Sequence, residues 1–114
     1  MISFHSWQAQ TADRELLKQC KEAIVSVESG AEVILYGSRA RGDAGKYSDY
    51  DILVLTDSMV NMALRESLIE SIYPFELETG AVITLMVYNR AQWDSARYRV
   101  MPFRQNIERD GVSL

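Results

Sequence analysis

The sequence predicts an α/β (α+β) domain: a small mixed β-sheet with helices packed mainly on one face. Three observations predict it. Runs of apolar, β-favouring residues lie at 32–36, 49–55 and 81–88. Two segments place apolar residues at three- and four-residue spacing, as helices with one buried face do. Glycines and prolines mark the breaks between these segments. The chain is read as one domain, 1–114.

The first helix is expected around Leu16, Leu17, Cys20, Ala23, Ile24 and Val27, whose spacing gives an apolar stripe. Thr11 is the expected N-cap, Asp13 suits the first turn, and Gly30 suits the stop. Cys20 sits within the stripe and reads as a buried core thiol. Residues 32–36 then form a strand whose continuous apolar character predicts burial on both faces. A glycine-bounded turn and a short helical piece follow, then a flexible loop over 42–48. The second strand, 49–55, returns beside the first in an antiparallel or mixed arrangement.

Residues 59–73 predict a second helix capped by Asp57 or Ser58, with Leu64, Leu68, Ile69 and Ile72 as its apolar face. Pro74 should end or kink it, and 75–79 could add one turn before Gly80. Met59 and Met62 read as gap-filling core. After the third strand, Asn89 and Gln92 resemble a capping box for a short helix through Trp93 to about Tyr98. Pro102 suits the first turn of a last helix, Gly111 its stop, and 112–114 a short terminal strand. Trp93, Tyr98 and Phe103 read as core packing.

Composition narrows the function. A 47% hydrophobic and 25% charged balance is ordinary for a globular chain. A net charge of -4 argues against general nucleic-acid binding, which normally shows a basic face. No run approaches the ~18 apolar residues of a membrane span. Residues 1–10 lack the basic and apolar order of a signal peptide. With Cys20 the only cysteine, no internal disulfide can form, and a cytoplasmic location is the expectation. His5, the only histidine, has no spaced partners for a metal.

The chemistry concentrates at 35–54. Gly37 lets backbone approach a phosphate, having no Cβ in the way. Ser38 adds a hydroxyl beside main-chain N–H groups at a helix start, where anions are favoured. Arg39 and Arg41 add positive charge, either on phosphate or toward solvent. Asp49 and Asp51, two apart on a strand, leave from the same face. Paired carboxylates with substrate phosphates suit Mg²⁺.

Gly37-Ser38, a loop, then Asp49-x-Asp51 followed by Ile52-Leu53-Val54 resembles the signature of the DNA-polymerase-β-like nucleotidyltransferase superfamily, in its minimal branch. The resemblance implies the palm-like nucleotidyltransferase fold. It implies that Asp49 and Asp51 are catalytic and bind one or two Mg²⁺ ions. Gly37 and Ser38, with Arg39 and Arg41, would hold the nucleoside triphosphate, with ATP the expected one. An acceptor hydroxyl would attack the α-phosphorus, and pyrophosphate would leave. Two metals roughly 3.5–4 Å apart can hold both oxygens.

The family usually adds a third carboxylate on a later strand. Here that strand offers Thr84 or Met86, depending on register, with Thr84 the better fit. Glu76 and Glu78 stand just upstream. A hydroxyl is a weak metal ligand and a poor base, so the attacking-side metal is the one affected. The chain also has no room for an appended acceptor domain. The resemblance therefore implies an acceptor surface from a separate helical partner of the HEPN type, or from another copy. Two readings follow: transfer of AMP to a protein or small-molecule hydroxyl, or a nucleotide-binding, antitoxin-like subunit that turns over weakly.

Overall fold

A computed structural model describes residues 1–114. Its elements are β1 (Ile2–Ser3), α1 (Thr11–Val27), β2 (Glu32–Tyr36), α2 (Gly37–Arg41), β3 (Tyr50–Thr56), α3 (Met62–Thr79), β4 (Ile83–Asn89), α4 (Arg90–Trp93), α5 (Ala96–Arg99), α6 (Pro102–Asp110) and β5 (Val112–Ser113). They form one five-stranded mixed sheet in the order β1-β5-β2-β3-β4. β2 pairs antiparallel with both β3 and β5, while β3–β4 and β1–β5 are parallel. β1 has only two residues, too few for an alternating pattern to mark it in the sequence.

The alternation of side chains sorts β3 into two faces. Ile52 and Val54 join Val33 and Leu35 against Leu17, Cys20 and Ile24 of α1 and Leu68 and Ile72 of α3. Leu53 and Leu55 point the other way, with Ile34, against Trp93 and Ile107. The two long helices thus cover one face, and the short helices α4–α6 lie on the second. Tyr36, Tyr88, Trp93, Tyr98 and Phe103 form a contiguous aromatic cluster there, with centroid separations of 5.5 to 6.3 Å. Edge-to-face pairs of this kind add about 0.5–1.5 kcal/mol beyond their area. Cys20 is buried, and burial, then the nearby Glu76 charge, pushes its thiol up to about 12, so it is inert core.

Several sequence expectations change. Thr11 opens α1 rather than capping it; the cap position is Gln10, with no side-chain bond. The α3 cap is Asn61, whose side chain accepts from the Leu64 N–H at 2.9 Å. Ser58 is occupied elsewhere, donating to Glu28. Of the outcomes left open at Pro74, the helix takes the longer one: α3 runs through 75–79 to the expected break at Gly80. Pro74 is exposed, so the carbonyl it leaves without a helical donor faces water, and burial of Leu68, Ile72 and Phe75 carries the helix past it. Met59 and Met62 are 80% and 74% exposed, not core. Val27 and Ile69 are exposed too, because each falls outside the arc its helix turns to the sheet. Asn89 caps α4 through Ala91 and Gln92, but the Gln92 side chain reaches Tyr98 instead of closing the box. The segment therefore breaks into α4 and α5, the latter capped by Ser95.

Candidate active site

The β2–β3 register sets Tyr36 opposite Asp51, so the chain leaves β2 directly beside that carboxylate. Gly37 makes the exit with φ +76. A Cβ built there would collide with Oδ2 of Asp51. The turn therefore needs glycine twice over, for its left-handed backbone and for the space that Asp51 fills. Asp49 precedes β3 and projects on the same side. The parallel β3–β4 register sets Thr84 opposite Asp51, and the Thr84 hydroxyl donates to Oδ2 of Asp49 at a long 3.5 Å. Three strand ends thus gather Gly37, Asp49, Asp51 and Thr84 in one place.

Electrostatics mark Asp51 as the perturbed member. Burial is the larger cause raising its carboxyl above the usual range, and the neighbouring Asp49 charge adds to it. The Arg41 guanidinium acts in the opposite sense. Tyr36 is pushed up to about 12, first by burial, then by the charges of Asp51 and Tyr88. Two like charges held together without a cation are costly, and a bound cation inverts that balance.

The remaining sequence-predicted residues divide. Arg41 is exposed, bonds Asp43 at 3.2 Å, and sits where its charge reaches Asp51. Ser38 lies half-buried at the start of α2; its carbonyl accepts from Gly42 and Asp43, and its hydroxyl has no partner in the chain. Arg39 turns away from the carboxylates. Its guanidinium stacks over the Tyr50 ring at 4.3 Å and donates to the Ser48 carbonyl at 2.9 and 3.2 Å and the Lys46 carbonyl at 3.3 Å. Tyr50 faces the α1 side of the sheet, where its hydroxyl reaches Asp13 at 2.5 Å. Arg39 thus fastens the 42–49 loop, and the structure does not bring it to Asp49 and Asp51.

No upstream glutamate supplies a third carboxylate. Glu76 accepts the Ile83 N–H at 2.9 Å, and Glu78 is exposed in the last turn of α3. Nowhere does the chain gather three histidine, cysteine or acidic side chains in metal-binding range. Asp49 and Asp51 alone fit the way Mg²⁺ is bound beside substrate phosphates, by one or two carboxylates, and do not form an all-protein cage.

That α6 borders this site was not foreseen from the sequence. Phe103, Asn106, Ile107 and Asp110 line a recess of about 130 Å³ with Tyr36, Gly37 and Arg41. Their three- and four-residue spacing was the available signal. A larger recess of about 550 Å³ lies across the loop, between Trp7, Asp13, Arg39, Lys46 and Tyr50. Neither recess is lined by Asp49 or Asp51, but the smaller one holds Gly37 and Arg41, the two residues beside Asp51, so chemistry favours it.

A palm-like sheet with a glycine turn set against two carboxylates defines a nucleotidyl-transfer class of protein, and the comparisons agree. The nucleotidyltransferase domain model matches residues 14–108, and the chain belongs to that family. It is a nucleotidyltransferase by family. A Methanocaldococcus jannaschii protein named "putative protein adenylyltransferase" is 30% identical over 78 residues, 67% of this chain and 79% of that protein. A second protein of that organism, with the same name, is 31% identical over 75 residues, 60% of this chain and 50% of its own length. A crystal structure titled as a putative nucleotidyltransferase from Sulfolobus solfataricus is 24% identical, covers 95% of this chain and 89% of its own, and superposes with a TM-score of 0.47. No helix is long and apolar enough to cross a membrane.

Proposed function

We propose that this single domain transfers AMP from ATP to a hydroxyl of a protein, with Asp49 and Asp51 holding Mg²⁺ on the triphosphate. The observation that carries the reading is the contact between the Gly37 turn and the Asp51 carboxylate, with Asp49 alongside. Gly37 lets the turn sit against Asp51, Ser38 offers a free hydroxyl, and Arg41 places a cation at the same edge. Together they would orient the triphosphate. The acceptor oxygen then bonds to the α-phosphorus, the bond to pyrophosphate breaks, and the acceptor proton passes to solvent or a neighbouring base. Mg²⁺, when bound, neutralises the charge that builds on the phosphates.

Thr84 favours a second reading. It stands opposite Asp51 where an acid would complete the set, so the chain is a slow catalyst or a nucleotide-binding, antitoxin-like subunit. The first reading takes its acceptor from a HEPN-type helical partner or another copy, and the second acts by binding a HEPN-type partner, both in the cytoplasm. The names of the Methanocaldococcus relatives support protein as the acceptor class. The test is thermal melting with ATP, with and without Mg²⁺, then incubation with α-phosphate-labelled ATP and co-purified proteins. A Mg²⁺-dependent shift lost in Asp49→Ala, with label on protein, supports transfer; a shift without label supports binding alone. No shift in either condition ends both.

A further inference from the structure

β4 is the last strand of the sheet, and nothing pairs with its outer edge. The Tyr50 N–H donates to the Val82 carbonyl, so in this parallel register the even-numbered residues of β4 bond to β3. The odd-numbered ones face outward. Ile83 confirms the direction, since its N–H goes to Glu76 of α3. Leu85 and Val87 follow with outward N–H and C=O groups and no partner in the chain. The strand has seven residues and contains no proline or charge, the usual devices that blunt an open edge.

Glu76 also shows which flank of α3 rises over that edge. Tyr73 and Ile69 lie three and seven residues before Glu76, on successive turns of the same flank, and Met62 lies two turns further. Leu77 adjoins them. All are exposed: Ile69 50%, Tyr73 53%, Leu77 67%, Met62 74%. At 3.6 residues per turn they span roughly 80° of arc, which also holds one exposed charge, Glu66. Val82, just before β4, is exposed as well. Open strand and apolar helix flank are matched in length, about 24 Å and about 23 Å.

We propose that a second copy of this chain covers this surface, β4 pairing antiparallel with β4 of its partner across a two-fold axis. An uncharged strand can meet its own copy without opposing like charges. The arc, apolar except for Glu66, is its own complement in an isologous contact. Arg65 borders it on one side and Glu70 on the other, and neither has an ion-pair partner in the chain. Two-fold symmetry sets each against the other's counterpart. The partner's strand would lie about two strand spacings, ~9.6 Å, from β3. That is the Thr84 side of the carboxylate pair, so the pairing also supplies a wall where one small domain has none.

The proposal is independent of nucleotide chemistry, and its test uses no nucleotide. Sedimentation equilibrium of the full chain should show a reversible dimer. Ile69→Lys with Tyr73→Lys, both exposed positions, should raise its dissociation constant roughly tenfold or more, about 1.4 kcal/mol or above. Hydrogen exchange should show the Leu85 and Val87 amides protected at high protein concentration and released on dilution. A chain monomeric throughout overturns the proposal. So does a dimer in which those two amides exchange as fast as in the double-lysine variant, or one unaffected by the lysines. Protection appearing only with a different protein assigns the edge to that partner and also overturns it.

Discussion

Gly37 and Asp51 occupy each other's space: the carboxylate fills the volume that any side chain at position 37 would need. Gly37→Ala should therefore destabilise the fold by about 1–3 kcal/mol from its left-handed backbone, with steric conflict added. Asp51→Ala removes the clashing oxygens and leaves its own Cβ at an ordinary 3.5 Å from the new methyl. The double variant should thus lose less than the sum of the singles. Urea unfolding of all four chains measures the coupling; strict additivity would mean the two residues do not touch.

Asp51→Asn tests the metal role through pH. The Asp51 carboxyl titrates higher in the folded chain than in the unfolded one. Its contribution to stability is therefore present below the unfolded range, about 3.9, and lost as pH rises through the folded value. In chelator at neutral pH, Asp51→Asn should melt above the parent, and the gap should close on acidification. With Mg²⁺ and ATP, the order should reverse, since only the parent keeps the ligand shift. A variant with unchanged Mg²⁺-nucleotide affinity would remove Asp51 from the site.

Thr84→Asp restores an acid opposite Asp51. Three carboxylates without a cation repel, so the metal-free melting point should fall and Mg²⁺ should recover it. Transfer of labelled AMP should rise roughly tenfold, about 1.4 kcal/mol of barrier. Loss of metal-free stability with no gain from Mg²⁺ would show that the third position does not reach the metal.

Arg39 and Arg41 should separate cleanly. Arg39→Met removes the fastening of the Lys46 and Ser48 carbonyls and should cost about 1.5–3 kcal/mol of stability. Arg41→Met should leave stability nearly unchanged, because its pair with Asp43 is exposed, while weakening ATP binding. Denaturation and nucleotide titration on both variants read the two effects apart.

The sequence revealed what continuous local signals encode. Glu32–Tyr36 was legible because every buried position in it is aliphatic, and the Asn89 cap because its partners lie within three residues. The pairing of Gly37 with Asp51 was legible only as a motif; the contact itself needs the antiparallel register. Arg39 could not be read, since its partners Tyr50, Ser48 and Asp13 come from separate elements. At Pro74 local propensity left open whether the helix ends or runs one more turn to Gly80, and burial of Ile72 and Phe75 continues it. Met59 and Met62 misled because methionine's usual place is inside, and only the assembled helix shows which arc meets the sheet.

Tyr36, next to the glycine turn, meets Phe103 edge to face, and Phe103 meets Trp93 in the same way. A buried indole is thereby wired to the turn through two rings. The molecule carries its own optical gauge: ligand arriving at the turn should alter Trp93 emission, so occupancy can be followed without a label.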